Sequence, residues 1–304
     1  MRSKGRNFWH LMAIVTMIFW GTSFVSTKVL LCHGFSAIFI FVVRFIFTYL
    51  LLLLLSHDTM FSKNKKDEFL LFLGGIMGGT LYFWLENTAL MHSPSSNVSL
   101  IVCTNPLMIF IIISLLFKKE PLNRRQVIGS LLTFLGMILV VLNGHFYLHL
   151  SPKGDLLALG AAITWVLYSI SVKKLHEKYS SLFITQKIFF YSCLTAIPML
   201  LIERPDIPWE NFKVPVVILN FLLLSIFSSL FGYLVWNLVL KNLGTVLASN
   251  YIYSIPLVTI ITAVIALDEH ITWVALLGAF AIVVGMVMAE YKGGNSLSKD
   301  CDKA

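Results

Sequence analysis

Residues 36–55 read SAIFIFVVRFIFTYLLLLLL and contain one charged side chain, Arg44. A helix needs about 20 predominantly apolar residues to cross the hydrocarbon core of a bilayer. The run also lacks the alternation of apolar and polar side chains that is typical of membrane β-strands. This stretch therefore predicts a transmembrane helix.

Similar runs of at least 17 largely apolar residues fill most of the chain. Links between neighbours are short, as at His92–Pro94 and Lys241–Gly244, so the helices that they join must be antiparallel. The sequence predicts an all-α integral membrane protein with ten transmembrane helices. The runs are 9–31, 36–55, 69–91, 95–117, 126–143, 156–172, 182–202, 214–240, 245–267 and 271–290.

The composition excludes a soluble globule. Apolar residues make up 58% of the 304 positions and charged residues 12%, whereas soluble domains average about 45–50% and about 25%. Ten spans leave no room for a separate soluble domain. The first run is too long for the core of a signal peptide, so we expect an uncleaved first helix. The four cysteines are scattered and predict neither a disulfide framework nor a metal site.

The positive charges predict the orientation of the chain. With the N-terminus in the cytoplasm, seventeen of the 23 lysines and arginines fall in inner segments. Only Lys153, Arg204 and Lys213 fall in outer loops. Positive charges accumulate on the cytoplasmic side of membrane proteins, so we expect both termini in the cytoplasm and a cytoplasmic (inner) membrane location. The net charge of +8 is thereby explained without a nucleic-acid partner.

The two halves of the chain resemble each other. Asn87 and Pro106 correspond to Asn237 and Pro256 at an offset of 150 residues. Each half holds five predicted helices, an odd number, so the second copy enters the membrane inverted. We expect a first repeat at 1–143, an inverted second repeat at 144–291 and a cytoplasmic tail at 292–304.

Several short motifs follow one another in a fixed order along the chain, and the second half repeats the last part of the series. They are FWGTSF (19–24), LYFWLENTAL (81–90), NPL (105–107), KEPL (119–122), IPL (255–257) and DEHIT (268–272). In these motifs and their duplication, nearly the whole chain resembles the ten-helix EamA family of the drug/metabolite transporter superfamily. The resemblance implies export of amino acids or other metabolites through a cavity lined by the first, third, fourth, sixth, eighth and ninth helices.

Polar and aromatic residues on those helices are the candidate substrate-binding residues. Aromatic side chains would form flat apolar walls and could contact an amine through cation–π interactions. Such walls favour amino acids and amines over phosphorylated sugars, for which several basic residues should face the pore. The candidates are Trp20, Tyr82, Glu86, Asn87, Asn105, Trp165, Tyr168, Trp236, Asn237 and Tyr253.

Glu86 is the only acid well inside a predicted span, and an ionisable residue there needs a partner or water. Arg44 is the best candidate for a charge partner because the two positions differ in depth by only about 5 Å at 1.5 Å per helical residue. Lys28, nearer the outer surface, is the second choice. Two alternatives remain: a permanent structural pair, or a carboxylate that binds a substrate amine or a coupling proton.

Pro106 and Pro256 are candidate hinges. Each lies about ten residues into a predicted span, where proline removes one backbone hydrogen bond and leaves a carbonyl without its donor. These carbonyls would face substrate, or the prolines would form static kinks satisfied by neighbouring side chains.

Glycines repeat at seven residues in two helices, as Gly129 with Gly136 and as Gly278 with Gly285. Small residues let helix backbones approach closely in lipid. We expect these faces to pack against other helices, with a dimer interface as the alternative. The sequence carries no signal for an oligomeric state.

The sequence thus favours a permease that exports small metabolites, namely amino acids or related amines, by alternating access. A multidrug or quaternary-amine exporter of the same fold is the alternative. A polytopic membrane enzyme is disfavoured because the spans contain no histidine at mid-depth and no clustered catalytic set. We expect no cofactor and no metal: His145 and His149 share helical spacing but lack a third ligand.

Overall fold

The computed structural model describes residues 2–55, 62, 64–116, 124–142, 151–267 and 272–290. The predicted tail at 292–304, as well as His145 and His149, lies outside these ranges. All regular secondary structure within them is helical. The α-helices are α1 (Arg2–Cys32), α2 (Ala37–Leu55), α3 (Lys65–Gly75), α4 (Leu81–His92), α5 (Ser95–Val102), α6 (Asn105–Leu116), α7 (Arg124–Leu142), α8 (Pro152–Lys173), α9 (Ser181–Glu203), α10 (Pro215–Leu222), α11 (Gly232–Leu243), α12 (Thr245–Ser249), α13 (Ile255–Leu267) and α14 (Trp273–Glu290).

Two long helices contain a π-helical segment. Residues Ile76–Thr80 join α3 to α4, and residues Leu223–Phe231 join α10 to α11. In a π-segment the backbone bonds run from i to i+5, which widens the turn and occurs frequently at functional sites. The third segment of each predicted repeat therefore carries the same irregularity.

Six helical stretches are long and apolar enough to cross a membrane. Shorter apolar helices lie at Asn97–Ile109, Val127–Val140 and Leu276–Ala289. The chain is thus a helical protein with multiple apolar segments suited to a bilayer. The six are Gly5–Cys32, Ala37–Leu55, Lys65–His92, Pro152–Lys173, Ser181–Glu203 and Pro215–Leu243.

The predicted runs 95–117 and 245–267 are each divided, which corrects the expectation of a proline kink within a continuous helix. A turn at Cys103–Thr104 separates α5 from α6, and a 3₁₀ segment at Asn250–Ser254 separates α12 from α13. Pro106 and Pro256 lie in the first turns of α6 and α13, where a helix needs no donor from the proline nitrogen. The helices therefore break just before the prolines.

Asn105 stabilises the first of these breaks. In a continuous helix, the carbonyl of Val102 would accept a hydrogen bond from the backbone nitrogen of residue 106, which is a proline and has no N–H. The side-chain Nδ2 of Asn105 donates to that carbonyl instead, at 2.9 Å. At the second break Ile255 replaces the asparagine, and its backbone N–H bonds to the carbonyl of Ile252. The two breaks thus use different donors.

Helix packing is matched between the two halves of the chain. Helix α1 packs on α11 and α13, and its counterpart α8 packs on α4 and α6. Helices α2 and α9 pack on each other, and each also packs on the π-helical segment of the other half. Exchanging the halves therefore reproduces the same set of contacts.

Helices α7 and α14 form the closest packing through their glycines, as the sevenfold spacing predicts. A Cβ atom added to Gly129 would lie 2.6 Å from the carbonyl oxygen of Gly285, and one added to Gly136 would lie 2.7 Å from that of Gly278. The early part of α7 thus meets the late part of α14, so the two helices run antiparallel. Real Cβ atoms do not fit at such distances, which confirms that these glycines allow close approach.

Candidate functional site

A narrow cavity of about 30 Å³ lies between the halves, which is room for about two water molecules. Its walls come from α1, α4, α5, α6, α8, α11, the 3₁₀ segment and α13, which belong to the runs that the resemblance implies, and additionally from α2. The lining residues are Trp20, Ser23, Phe24, Arg44, Tyr82, Phe83, Glu86, Val102, Asn105, Trp165, Tyr233, Ile252 and Ile255.

Five of the ten candidate substrate-binding residues line this cavity, together with Arg44. They are Trp20, Tyr82, Glu86, Asn105 and Trp165. These residues come from four different helices, so the fold brings together side chains that are up to 145 positions apart in the sequence.

The other five candidates are buried between helices outside the lining. The amide of Asn87 donates to the carbonyl of Ala37 at 3.1 Å. The hydroxyl of Tyr168 donates to Asn237 at 3.2 Å, and Trp236 packs behind Trp20 with 5.2 Å between ring centroids. The ring of Tyr253 lies 6.2 Å from that of Phe134. These contacts join helices and keep the five side chains away from the cavity.

Some lining residues were not among the candidates from the sequence, although the internal repeat marks their positions. Tyr233, Ile252 and Ile255 lie 150 positions after Phe83, Val102 and Asn105, and all six line the cavity. Because the halves pack symmetrically, equivalent positions face the same central space. Ser23 and Phe24, which carry neither charge nor a polar ring, had no comparable signal.

Aromatic rings form the apolar wall. Trp165 meets Trp20 edge to face with 5.2 Å between centroids, and Tyr82 lies 5.0 Å from Trp165. Tyr233 completes the group at 5.9 Å from Trp165. Edge-to-face contacts such as these are a favoured geometry of aromatic pairs, so the rings stabilise one another in the wall.

Arg44 is buried in the cavity wall and interacts with two groups. Its Nε donates a hydrogen bond to the hydroxyl of Ser229, which belongs to the second π-helical segment. Its guanidinium carbon lies 4.4 Å from the centre of the Phe83 ring, a cation–π contact. The π-segment thus helps to position the only arginine of the cavity lining.

Tyr82 lies one turn before Glu86 on α4, and the two side chains interact electrostatically. No nitrogen of Arg44 lies within 4.0 Å of a Glu86 oxygen, so the direct structural pair is not formed in this conformation. Lys28 does not replace Arg44 as the partner, because its Nζ donates to the carbonyl of Leu90 at 2.5 Å. The cation and the anion therefore share the cavity without neutralising each other directly.

A separate ionic cluster joins α3 to the start of α9, away from the cavity. Lys178 lies 3.0 Å from Asp67, and Lys187 pairs with Glu68. The hydrogen bond with Asp67 raises the pKa of Lys178 above its ordinary value. These pairs link the two halves and account for Lys187, the buried cation of the predicted seventh span.

Within the residues that the structure describes, no group of three or more histidine, cysteine, aspartate or glutamate side chains could hold a metal ion. The lining residues also include no histidine or cysteine. For binding, the lining offers aromatic rings, the side-chain amide of Asn105 and the ionisable side chains of Arg44 and Glu86.

Comparison with known proteins supports the family resemblance. The model of the EamA-like transporter family matches residues 7–142 and 152–291. An uncharacterised transporter of Archaeoglobus fulgidus is 28% identical over 93% of this chain and 97% of its own length. A probable amino-acid metabolite efflux pump of Salmonella typhimurium is 25% identical over 90% of this chain and 92% of its own.

A solved crystal structure has the same fold. Its TM-score with this chain is 0.73, and the match covers 95% of this chain and 99% of the solved one at 17% sequence identity. A similarity of this kind shows the fold and leaves the substrate to be argued from the residues.

Proposed function

The chain belongs to the EamA-like transporter family, and from this premise we propose that it exports amino acids or related amines by alternating access through the central cavity. The observation that carries the proposal is a cavity that both halves line with equivalent positions. Trp20, Phe83 and Val102 on one side have the counterparts Trp165, Tyr233 and Ile252 on the other. A site on the axis that relates two equivalent halves can be opened to either side by the same movement.

The proposed topology is ten spans in two inverted repeats, at 1–143 and 144–291, with both termini in the cytoplasm and the chain in the cytoplasmic membrane. Two independent observations support it. Helices α7 and α14 are equivalent in the repeat and pack antiparallel, which requires the two copies to cross the bilayer in opposite directions. The bias of lysine and arginine toward inner segments gives the same orientation.

The substrate class is supported by the cavity and by the relatives. Relatives from Salmonella typhimurium and Escherichia coli are named as probable amino-acid metabolite efflux pumps. The lining is mainly aromatic and aliphatic, with Arg44 as its one basic side chain. This composition fits a small molecule with an apolar side chain better than one that carries phosphate groups.

Pro106 and Pro256 are proposed to keep the broken helices from becoming continuous during this movement. Each begins a helix at a break that borders the cavity, next to Asn105 or Ile255. Glu86 is the proposed binding group for a substrate amine or for a coupling proton, because it is the acidic side chain of the lining.

Metabolite profiling tests the proposed export. Culture medium and cell contents are compared between cells with and without the protein, and export predicts amino acids or amines that accumulate outside only when it is present. Ser23→Trp should abolish the difference at equal abundance, because the larger side chain fills the cavity. Leu219→Trp, on the exposed face of α10, is the matched control and should export normally. Unchanged metabolites with abundant wild-type protein would contradict the proposal.

A quaternary-amine or multidrug exporter is the second candidate, favoured by one observation. Glu86 and the rings of Trp20 and Trp165 together form the kind of site that attracts a cation. This function predicts that expression protects cells from toxic quaternary amines, whereas an amino-acid exporter predicts protection from toxic amino-acid analogues.

A further inference from the structure

The cavity holds one buried basic side chain and one buried acidic side chain that do not form a direct ion pair. Arg44 is 2% exposed and Glu86 is 3% exposed. Burying a charge without an opposite charge in contact is costly, and more so inside a membrane. The pair is thus incomplete, and a ligand that lies between the two charges would complete it.

On the cation side, hydrogen-bond donors lack acceptors. A guanidinium has five N–H donors, and within the described residues only Ser229 accepts from the Arg44 side chain. The indole Nε1 of Trp165 is also buried and has no acceptor among those residues. Arg44 and Trp165 therefore leave several donors available to an anionic ligand group.

On the anion side, acceptors lack donors. The side-chain Oδ1 of Asn105 is buried without a hydrogen bond to any described residue, because its Nδ2 is directed to the carbonyl of Val102. The carboxylate of Glu86 lies near the hydroxyl of Tyr82, and an ionised carboxylate can accept about four hydrogen bonds. Glu86 and Asn105 therefore leave acceptors available to a cationic ligand group.

The other polar groups of the lining are already used by the protein. The indole nitrogen of Trp20 donates to the carbonyl of Ser228 at 3.0 Å. The hydroxyl of Tyr233 donates to the carbonyl of Gly78 at 2.5 Å. The hydroxyl of Ser23 donates to the carbonyl of Trp20 at 2.7 Å. The unused polar capacity is consequently concentrated in Arg44, Trp165, Asn105 and Glu86.

We infer that the cavity recognises the zwitterionic backbone of a free α-amino acid, with the substrate carboxylate at Arg44 and Trp165 and the substrate ammonium at Glu86 and Asn105. The two charges of the ligand are adjacent and of opposite sign, which matches two protein charges that face one space without contact. The rings and aliphatic side chains of the lining are left for an apolar substrate side chain.

This inference rests on the proposed function and narrows it. A simple amine would pair with Glu86 and leave the guanidinium without an anion, and a simple carboxylate would leave Glu86 without a cation. Either loss should cost about tenfold or more in affinity, since a hydrogen bond to a charged group contributes about 1.5–3 kcal/mol. Arg44 is then the residue that separates amino acids from amines.

Equilibrium binding to the purified full chain tests the inference with two matched series. One is L-leucine, isoamylamine and 4-methylpentanoate, and the other is L-phenylalanine, phenethylamine and 3-phenylpropanoate. Within each series the second compound lacks the carboxylate and the third lacks the ammonium. Affinities are obtained by fitting the rise in stability with ligand concentration L to RT ln(1 + L/Kd).

Wild-type protein should bind at least one amino acid about tenfold or more tightly than both of its single-charge analogues. Arg44→Gln should no longer bind the amino acid more tightly than the amine, and Glu86→Gln should no longer bind it more tightly than the carboxylate. Arg204→Gln and Glu210→Gln, at exposed sites outside the cavity, should keep the wild-type order. Each preference is a ratio of two affinities measured on the same protein, so partial unfolding does not alter it. If a variant does not fold, the ranking of the three compounds by wild-type protein still tests the inference.

Equal affinity of wild-type protein for an amino acid and its amine, or no binding of either amino acid, would overturn the inference. The inference would also be overturned if Arg44→Gln weakened binding of the amino acid and of its amine by the same factor. If the binding test fails in one of these ways but metabolite profiling still shows export of amines, the proposed function stands and only the zwitterion inference is wrong. If the protein binds amino acids as expected but exports nothing, only the transport proposal is contradicted.

Discussion

His176 lies in the turn between α8 and α9, outside the apolar spans, and both of its ring nitrogens are buried without a partner among the described residues. Burial lowers the pKa of this side chain to about 4, and the nearby positive charge of Lys241 acts in the same direction. An ordinary histidine has a pKa near 6.5. His176 is therefore neutral in the folded protein at neutral pH.

This shift predicts a loss of stability in acid. Between about pH 6.5 and pH 4, the unfolded chain binds a proton at His176 and the folded protein does not, so stability is full above pH 6.5 and falls as the pH approaches 4. The loss should be about 3 kcal/mol from this group. Melting temperatures across this range should fall less in His176→Leu, and an identical pH dependence in both proteins would contradict the assignment.

Arg44 and Glu86 show what can be predicted for single residues. Their depth in the bilayer could be calculated from helix geometry, and both side chains line one cavity. Their exact contacts could not, because Ser229 and Phe83 reach Arg44 only through the widened turn of the π-segment and the packing of α2 on it. No local pattern in the sequence encodes that turn.

Among the helices, the position of each apolar run was predictable and its interior was not. Runs of apolar residues fix where a helix can cross a bilayer, and six of the ten predicted runs coincide with helical stretches that are long and apolar enough to do so. The breaks before Pro106 and Pro256 depend on substitute donors such as the side chain of Asn105. Proline alone predicts a lost hydrogen bond but not the side on which the helix ends.

The contact between α7 and α14 predicts a strong effect of one methyl group. Gly136→Ala places a Cβ where the carbonyl of Gly278 and the backbone nitrogen of Ile282 lie. The backbones must separate, at a cost of about 1–3 kcal/mol, and we expect a lower melting temperature.

Gly160→Ala is the matched control for this prediction. It also lies inside a helix, but its new Cβ would meet only the flexible end of Leu85, at 3.3 Å. Helix propensity should then stabilise it by up to about 1 kcal/mol. Equal melting temperatures of the two variants would show that the glycine contact is not needed.

The helix breaks predict an effect on transport rather than on abundance. Pro106→Ala restores a backbone N–H that can bond to the carbonyl of Val102 and competes with Asn105 for it. The variant should favour a continuous helix and export more slowly per folded molecule, and Pro256→Ala should act similarly in the second half. Equal losses of abundance and export would make both prolines folding elements only.

For the whole molecule, the inverted arrangement predicts the side on which each loop lies. In a background without cysteines, Lys153→Cys should react with a membrane-impermeant reagent from outside and Lys65→Cys only after access from inside. Three spans, an odd number, separate these positions in the proposed topology, so they must lie on opposite faces. Labelling of both from one side would contradict the inversion.

At the level of the whole molecule, the repeat could be predicted because the apolar runs per half and the charges per loop can be counted in the sequence. Two similar halves are then expected to pack in a matched way. The size and content of the cavity could not be predicted, since they depend on how rings such as Trp20 and Trp165 stack between the halves. A repeat fixes which positions face the centre, whereas packing decides how much space remains there.

Counterflow in sealed liposomes tests whether the protein transports amino acids by alternating access. Purified protein is reconstituted with millimolar unlabelled L-leucine or L-phenylalanine inside, and the same amino acid in radioactive form is added outside at low concentration. A carrier that exposes one cavity alternately to each side predicts transient accumulation of label above its outside concentration, and Ser23→Trp should abolish it. Entry of label only to equal concentrations, or no entry with folded protein, would contradict alternating-access transport of amino acids by this chain.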